Sequence, residues 1–510
     1  MLGKILLTLV MAIPVYSGPS SVAGPANPGF ESDGPTQAPT GWSEVSGTGH
    51  GDASFVEAGG HGGSGFRLTH WAATPYSVRT EQRLTGLANG QYTLTVWVRT
   101  DSGQNDAYVA LRSSGPEQRV ALPRTGGTDW VQIAVSTKVT RHECTISFVS
   151  DANAGNWAHF DDVSLTRGGL RKLPLRGADV STLKKNEDFG AAYFDSRGRQ
   201  RDALAILKDS GMNYARLKVW VDPADGYNNK ARVLQMARRI RAQGMGLIID
   251  FHYSDSWADP GKQIKPAAWA SLPFPELRQA VYDHTYDVLN ALKRQGTPAD
   301  IAQIGNEING GMLWPDGRWD NWDGLAALLV SAGDAVRATH AGTRVMVHLA
   351  EGGNNGGHRW WLDNAISRGV TFDVIGVSHY IYWHGSLGSL QANLFDLTTR
   401  YGKDIAVMET AYGFTLAEND AQQNIFNASL EQAGGYPATP RGQLSAFRDL
   451  YTVVNAVPRA LGVFYWEPTW TAVEGAGWDP TDPSSGDGWE NQALFDYTGH
   501  PLPAMAVFGG

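Results

Sequence analysis

The chain has 510 residues, with 42 Lys and Arg against 51 Asp and Glu and a formal net charge of −9. That balance argues against a nucleic-acid binder, which would carry a basic face. The length suits a large barrel plus a smaller module, or roughly two to four ordinary domains. Charged residues make up only 18%, while Gly reaches 60 and Trp 18. So many indoles in a weakly charged chain call for either a large core or a groove for a ligand with flat apolar faces and many hydroxyls. Cys144 is the single cysteine, so no intrachain disulfide forms, and no Cys/His cluster points to structural zinc. A buried, inert thiol is the expectation for it.

Residues 1–23 read as a secretory signal. Lys4 forms the positive region, Ile5 to Ile13 the short apolar run, and Ser21-Val22-Ala23 the small residues at the cleavage point. The run is too short to span a bilayer, and no longer apolar stretch follows. The expectation is a protein exported to the extracellular space, or to a periplasm, with no membrane anchor and acting as a monomer.

Residues 24–167 have an all-β texture. Short alternating runs such as Gln91–Val98, Ala107–Leu111 and Thr145–Val149 are separated by turn signals such as Ala88-Asn89-Gly90. This predicts a jelly-roll sandwich. Residues 168–174 are the linker. From residue 175 to 510 the pattern changes to alternating strands and helices. Strands are predicted at Leu175–Val180, Tyr214–Trp220, Gly246–His252, Ile301–Asn306, Val345–Leu349, Val374–His379, Ile405–Glu409 and Ala460–Trp466. Helices are predicted at Ala203–Gly211, Ala231–Gln243, Pro275–Arg294, Gly324–His340 and Gln443–Val457. Eight strands alternating with helices give the count of a (β/α)8 TIM barrel. A doubly wound sheet is the alternative, disfavoured because no Gly-rich phosphate loop follows the first strand.

Active sites of such barrels lie at the C-terminal ends of the strands. Those ends carry Asp179, Arg216, His252, Asn306 with Glu307, His379 with Tyr380, Glu409 and Trp466. Glu307 and Glu409 each close an apolar run, on strands four and seven. Two carboxyls facing each other across a groove suit glycoside hydrolysis, where one donates a proton and the other stays ionised. Taken singly, either is equally readable as a loop residue or as a structural partner of Arg216.

Several long runs carry a resemblance. They are Arg176–Ser181, Gly211–Trp220, Asp250–Gln263, Gly305–Pro315, Glu409–Tyr412, Tyr465–Pro468 and Trp489–Asp496. Together they resemble the arabinogalactan endo-β-1,4-galactanases of glycoside hydrolase family 53, over roughly residues 175 to 508. The resemblance implies a retaining barrel enzyme that cuts within β-1,4-galactan, with Glu307 as acid/base, Glu409 as nucleophile and no catalytic cofactor. Asn306 would bond the sugar 2-hydroxyl, and Arg216 would hold Glu409 ionised. Retention requires carboxyls about 5–5.5 Å apart. Trp257, Trp314, Trp383, Trp466 and Trp489 follow predicted strands and are candidate sugar platforms. The run His379–Trp383 departs from the paired tyrosines more usual in the family. Some bacterial members hold calcium in the loop after strand seven. Here Glu418-Asn419-Asp420 and Asn424 offer few carboxylates, and a solvated loop is the favoured reading.

The amino-terminal module opens with Asn27-Pro28-Gly29-Phe30-Glu31 and closes with Phe160–Leu165. It resembles the galactan-binding carbohydrate-binding modules of family 61. That resemblance implies a structural calcium near Glu31 and Asp162, and sugar contacts from Trp71, Tyr76, Arg79 and Trp157. A barrel glycosidase acting on mannan or arabinan, and a binding protein with an inert barrel, are the competing readings.

Overall fold

A computed structural model describes residues 24–45 and 52–510. The expected signal segment lies outside the described residues. Residues 24–167 form two five-stranded antiparallel sheets packed face to face. One sheet runs in the order Ser43–Glu44, Tyr76–Thr85, Glu143–Ala152, Gln104–Arg112 and Gln118–Ala121. The other runs Ser54–Ala58, Phe66–Trp71, Trp157–Arg167, Gly90–Thr100 and Val131–Val139. Strict alternation builds the core. In Gly90–Thr100, Tyr92, Leu94, Val96 and Val98 are fully buried, while Thr93, Thr95, Trp97 and Arg99 face outward. Cys144 is buried in this core as a free thiol, and burial pushes it up to about 11.

The second unit is a closed barrel of eight parallel strands. They are Leu175–Asp179, Tyr214–Val219, Gly246–Phe251, Ile301–Ile304, Arg344–Leu349, Val374–Ser378, Asp404–Glu409 and Ala460–Trp466. Every predicted strand is present with its bounds moved by at most two residues. The fourth is shorter than expected because Gly305 (φ 97°) and Glu307 (φ 48°) turn out of the extended conformation.

Two helices beyond the five named from sequence are Asn355–Ser367 and Leu387–Tyr401. Both carry side-chain N-caps: Asn354 accepts from the Gly357 amide, and Ser386 from that of Ser389. The barrel's lower interior is an apolar plug that includes Leu175, Ile248, Ile301, Met346, Val374, Met408 and Phe464. Gly177 has a role here, since a Cβ on it would lie 2.2 Å from the Phe464 ring. The plug supports a polar layer above it, at the strand ends. Among the described residues, no helix is long and apolar enough to cross a membrane.

Candidate active site

Arg216 ends up at the centre of the polar layer because Ala215 and Leu217 face the surrounding helices and Arg216 faces the barrel axis. It is fully buried. Its Nη1 donates to Glu409 Oε1 at 2.7 Å, and its Nη2 to Asp250 Oδ2 at 2.7 Å and Asn306 Oδ1 at 2.8 Å. Asp179 Oδ2 is 3.4 Å from Nη1. One guanidinium therefore sits among three carboxylates, which raises its own pKa despite burial and holds Asp250 below the usual range. Buried charges of this kind are tolerable only when paired and hydrogen-bonded.

The two glutamates share one cavity of about 610 Å³ at the C-terminal mouth of the barrel. Their surroundings differ. Burial pushes Glu307 well above the usual carboxyl range, and the Glu409 charge pushes it further. Burial also raises Glu409, but Arg216 opposes the rise through an ion pair and a hydrogen bond. Tyr380 adds its hydroxyl to Glu409 Oε2 at 3.0 Å. Each Glu409 oxygen thus accepts one strong donor, and unused lone pairs remain. Of the two, Glu307 is pushed further toward its protonated form, and Glu409 is the one whose charged form has a cation and two donors beside it.

Asp179, His252, Asn306, Trp257, Tyr380, Trp383, Trp466 and Trp489 also line this cavity. His252 Nδ1 accepts from Trp220 Nε1 and from the Ala258 amide, both at 3.2 Å. Its Nε2–H therefore donates to Asp250. Asp179 Oδ1 accepts from Ser181, while its buried Oδ2 receives no hydrogen bond. Asn306 Oδ1 faces Arg216, and Nδ2 donates to the Ala258 carbonyl at 2.9 Å. That leaves one amide hydrogen for a ligand. The Trp257 indole stacks on Trp470 at 5.5 Å and 13°, and its Nε1 donates to the Trp478 carbonyl at 2.9 Å.

Two expected contacts are corrected. His379 is fully buried beneath the cavity, with neither ring nitrogen hydrogen-bonded and its pKa depressed by burial to about 3. Trp314 lies off the cavity wall, packed on Gly310 with its Nε1 donating to the Gly310 carbonyl at 2.8 Å. Sequence reasoning missed Lys218, Trp470 and Trp478, which line the cavity. Lys218 Nζ bonds Glu467 Oε1 at 2.8 Å and lies 4.1 Å from the Trp257 ring centre. The signal for it was present. Lys218 follows Arg216 by two in the same strand and so points the same way.

In the module, Trp71 and Trp157 are cross-strand partners on the outer face of the second sheet. Two expectations fail there. Tyr76 is a core residue, its hydroxyl taken up by the His70 and Asn156 carbonyls. Arg79 points out from the opposite sheet and is paired with Glu81 and Glu117, so it cannot share a ligand with the two indoles.

The two residues expected to hold calcium in the module each have a protein partner. Glu31 Oε1 accepts from the Phe66 amide and Asp162 Oδ2 bonds His61. Among the described residues, no three His, Cys, Asp or Glu side chains are grouped to hold a metal. The loop after strand seven differs from its expectation. It meets the loop after strand eight, where Asn424 Oδ1, Asp487 Oδ2 and Glu490 Oε2 are buried without a hydrogen bond. Burial pushes Asp487 well above the usual range and Glu490 to about 7, and nearby carboxylates, Asp420 among them, raise both further. Sequence reading saw only half of this cluster because its other half lies about 65 residues on, across the barrel mouth.

The family model for glycosyl hydrolase family 53 matches residues 175–508. An endo-beta-1,4-galactanase of Bacillus subtilis is 34% identical over 375 residues, covering 67% of this chain and 86% of that protein. An arabinogalactan endo-beta-1,4-galactanase of Humicola insolens is 35% identical over 344 residues, 66% of this chain and 99% of that one. The solved catalytic domain of this family from Ignisphaera aggregans is 42% identical, with a TM-score of 0.63, covering 66% of this chain and 98% of that domain. The barrel with its two buried glutamates, and the match across its whole length, place this chain in glycosyl hydrolase family 53.

Proposed function

We propose that the chain is an endo-β-1,4-galactanase that cuts galactan and the type I arabinogalactan of pectin by retaining double displacement. The observation that carries the reaction class is the opposed environment of the two carboxyls in one cavity. Burial keeps Glu307 protonated, while Arg216 and Tyr380 hold Glu409 as a carboxylate. In the first step Glu307 gives its proton to the glycosidic oxygen as the C1–O bond breaks, and a Glu409 oxygen bonds C1 from the opposite face. In the second, Glu307, now a carboxylate, takes a proton from water. That water attacks C1, and Glu409 leaves as a carboxylate. The indoles of Trp257, Trp466 and Trp489 offer apolar faces for galactose rings.

The choice of galactan rests on the named activities of the relatives. Reducing-sugar release from linear β-1,4-galactan tests it. Release from mannan or arabinan alone would favour another barrel glycosidase, and release from none would favour an inert binding barrel. Proton NMR of the first product tests the mechanism. A β-anomer appearing first is expected, and an α-anomer would rule out double displacement. Glu307→Gln and Glu409→Gln each lower kcat by at least about 10³-fold, because each removes a group that acts in the transition state.

The outward indoles of the amino-terminal module support a galactan-binding role for it, and the apolar run near residue 5 supports export to where the polymer is found. The unbonded oxygens of Asn424, Asp487 and Glu490 suit a hard cation that takes carboxylate and amide oxygens, which is calcium chemistry. These residues would hold such an ion and tie together the loops after strands seven and eight.

A further inference from the structure

The cavity rim is formed in part by Trp383 and His384, and Trp383 is 48% exposed. Two residues beyond this rim, Ser386 begins helix Leu387–Tyr401, and its hydroxyl donates to Asp129 of the module. The approach is close. A Cβ on Gly388 would lie 2.2 Å from the Asp129 Cβ, so only glycine lets the module seat there. One turn along the same helix, the buried Gln391 side chain accepts from the Gln132 amide at 2.7 Å and donates to the Gln132 carbonyl at 2.8 Å. The module's orientation is fixed by these contacts.

Asp129 is followed directly by Trp130, the first indole of a row on the module's outer face. The Arg99 guanidinium lies 4.9 Å from the Trp130 ring centre and 5.6 Å from that of Trp157. Trp157 pairs across strands with Trp71, which is 41% exposed. Arg99 Nε is buried without a hydrogen bond, and its Nη2 meets only the ring nitrogen of His159 at 3.3 Å. Indoles in a row, with the His159 ring stacked on Trp157 at 4.0 Å and the Arg99 guanidinium over both Trp130 and Trp157, match a neutral sugar chain with apolar ring faces and hydroxyl edges.

We infer that the catalytic groove and this indole row form one continuous track, so that the module supplies distal subsites to the same galactan chain the barrel cuts. The inference rests on the galactan-binding reading of the module. A chain held at the Trp383 rim reaches Trp130 next, and the fixed docking makes the second contact intramolecular. Binding then strengthens with chain length through effective concentration alone.

The test uses the full chain carrying Glu409→Gln, titrated calorimetrically with β-1,4-galactotriose and with progressively longer oligomers. The expected result is two molecules of galactotriose per protein but one of a long oligomer, with affinity rising at least tenfold at the length where the count changes. Trp130→Ala and Trp157→Ala should each abolish that rise. Two long oligomers per protein would overturn the continuous track while leaving the module a galactan binder. A single molecule at every length, unaffected by either substitution, would overturn both the track and the binding role.

Discussion

Arg216 donates to Glu409 at 2.7 Å. A cation beside a carboxylate favours the charged form, so the acid limb of the pH profile reports how firmly Arg216 holds Glu409. Arg216→Lys keeps the charge but loses the fork that serves Glu409, Asp250 and Asn306 together. The Glu409 pKa then rises, and the acid limb of kcat/KM moves to higher pH, with the basic limb, set by Glu307, much less affected. An acid limb that stays in place would show that Arg216 does not tune Glu409.

Lys218 and Glu467 make a second buried pair, with burial raising Glu467 to about 7 and Lys218 opposing the rise. Lys218→Met strands a buried carboxyl and removes the cation beneath Trp257, so it should cost about 3–5 kcal/mol in chemical denaturation. Lys218→Met with Glu467→Gln should recover most of that loss. An equal cost in the double variant would mean the pair contributes through packing alone. At this scale Glu307, Glu409 and Arg216 were legible as members of one site, since each closes or sits near the end of an apolar strand. The Lys218–Glu467 pair was not, because it joins strands two and eight and exists only once the barrel closes.

Elements were legible where their periodicity was strong. The eight strands emerged because each is a short apolar run. Helix Leu387–Tyr401 carries the same kind of signal in Leu387, Leu390, Leu394 and Leu397, all buried, preceded by a Ser cap, and is recoverable from sequence. Helix Asn355–Ser367 is not, because its first turn is Asn-Gly-Gly and its apolar face is only Trp361, Leu362 and Ala365. The loops after strands seven and eight show why paired loops defeat sequence reading, as their carboxylates meet only in space.

That meeting has a measurable consequence. Glu490, at about 7, and Asp487 both have folded pKa values above their unfolded ones. The native state therefore holds more protons, and these groups' contribution to stability declines as pH rises from about 4.5 through 7. Calcium held by these oxygens, as proposed above, would replace the protons and remove the decline. Tm measured with a chelator should fall across this window, and millimolar calcium should restore it at pH 7. Asp487→Asn should flatten the fall and weaken the calcium response. Equal Tm with calcium and with chelator at pH 7 would exclude the ion from this site.

At the scale of the whole molecule, module and barrel pack on one another through side-chain hydrogen bonds. The two Gln391 hydrogen bonds to Gln132 continue the edge of the module's second sheet, since Val131–Val139 is its outermost strand. The second amide hydrogen of Gln391 goes to the Val453 carbonyl at 2.8 Å, locking the side chain to the barrel. Arg124 adds its guanidinium to the Gly435 carbonyl at 2.7 Å, and its amide meets the buried Asp449. Trp97 meets Phe395 at 6.2 Å. Covering a sheet edge in this way satisfies groups that would otherwise invite pairing with another chain. Coupling of this strength predicts one cooperative transition for module and barrel together in scanning calorimetry. Gln391→Ala leaves the Gln132 amide and carbonyl unpaired at the interface, at about 1–3 kcal/mol for each group, and should split the transition in two, with the module melting first. Two transitions in the unmodified chain would show that the docking is too weak to couple the units. A single transition in Gln391→Ala would shift the weight of the interface to Arg124 and Trp97.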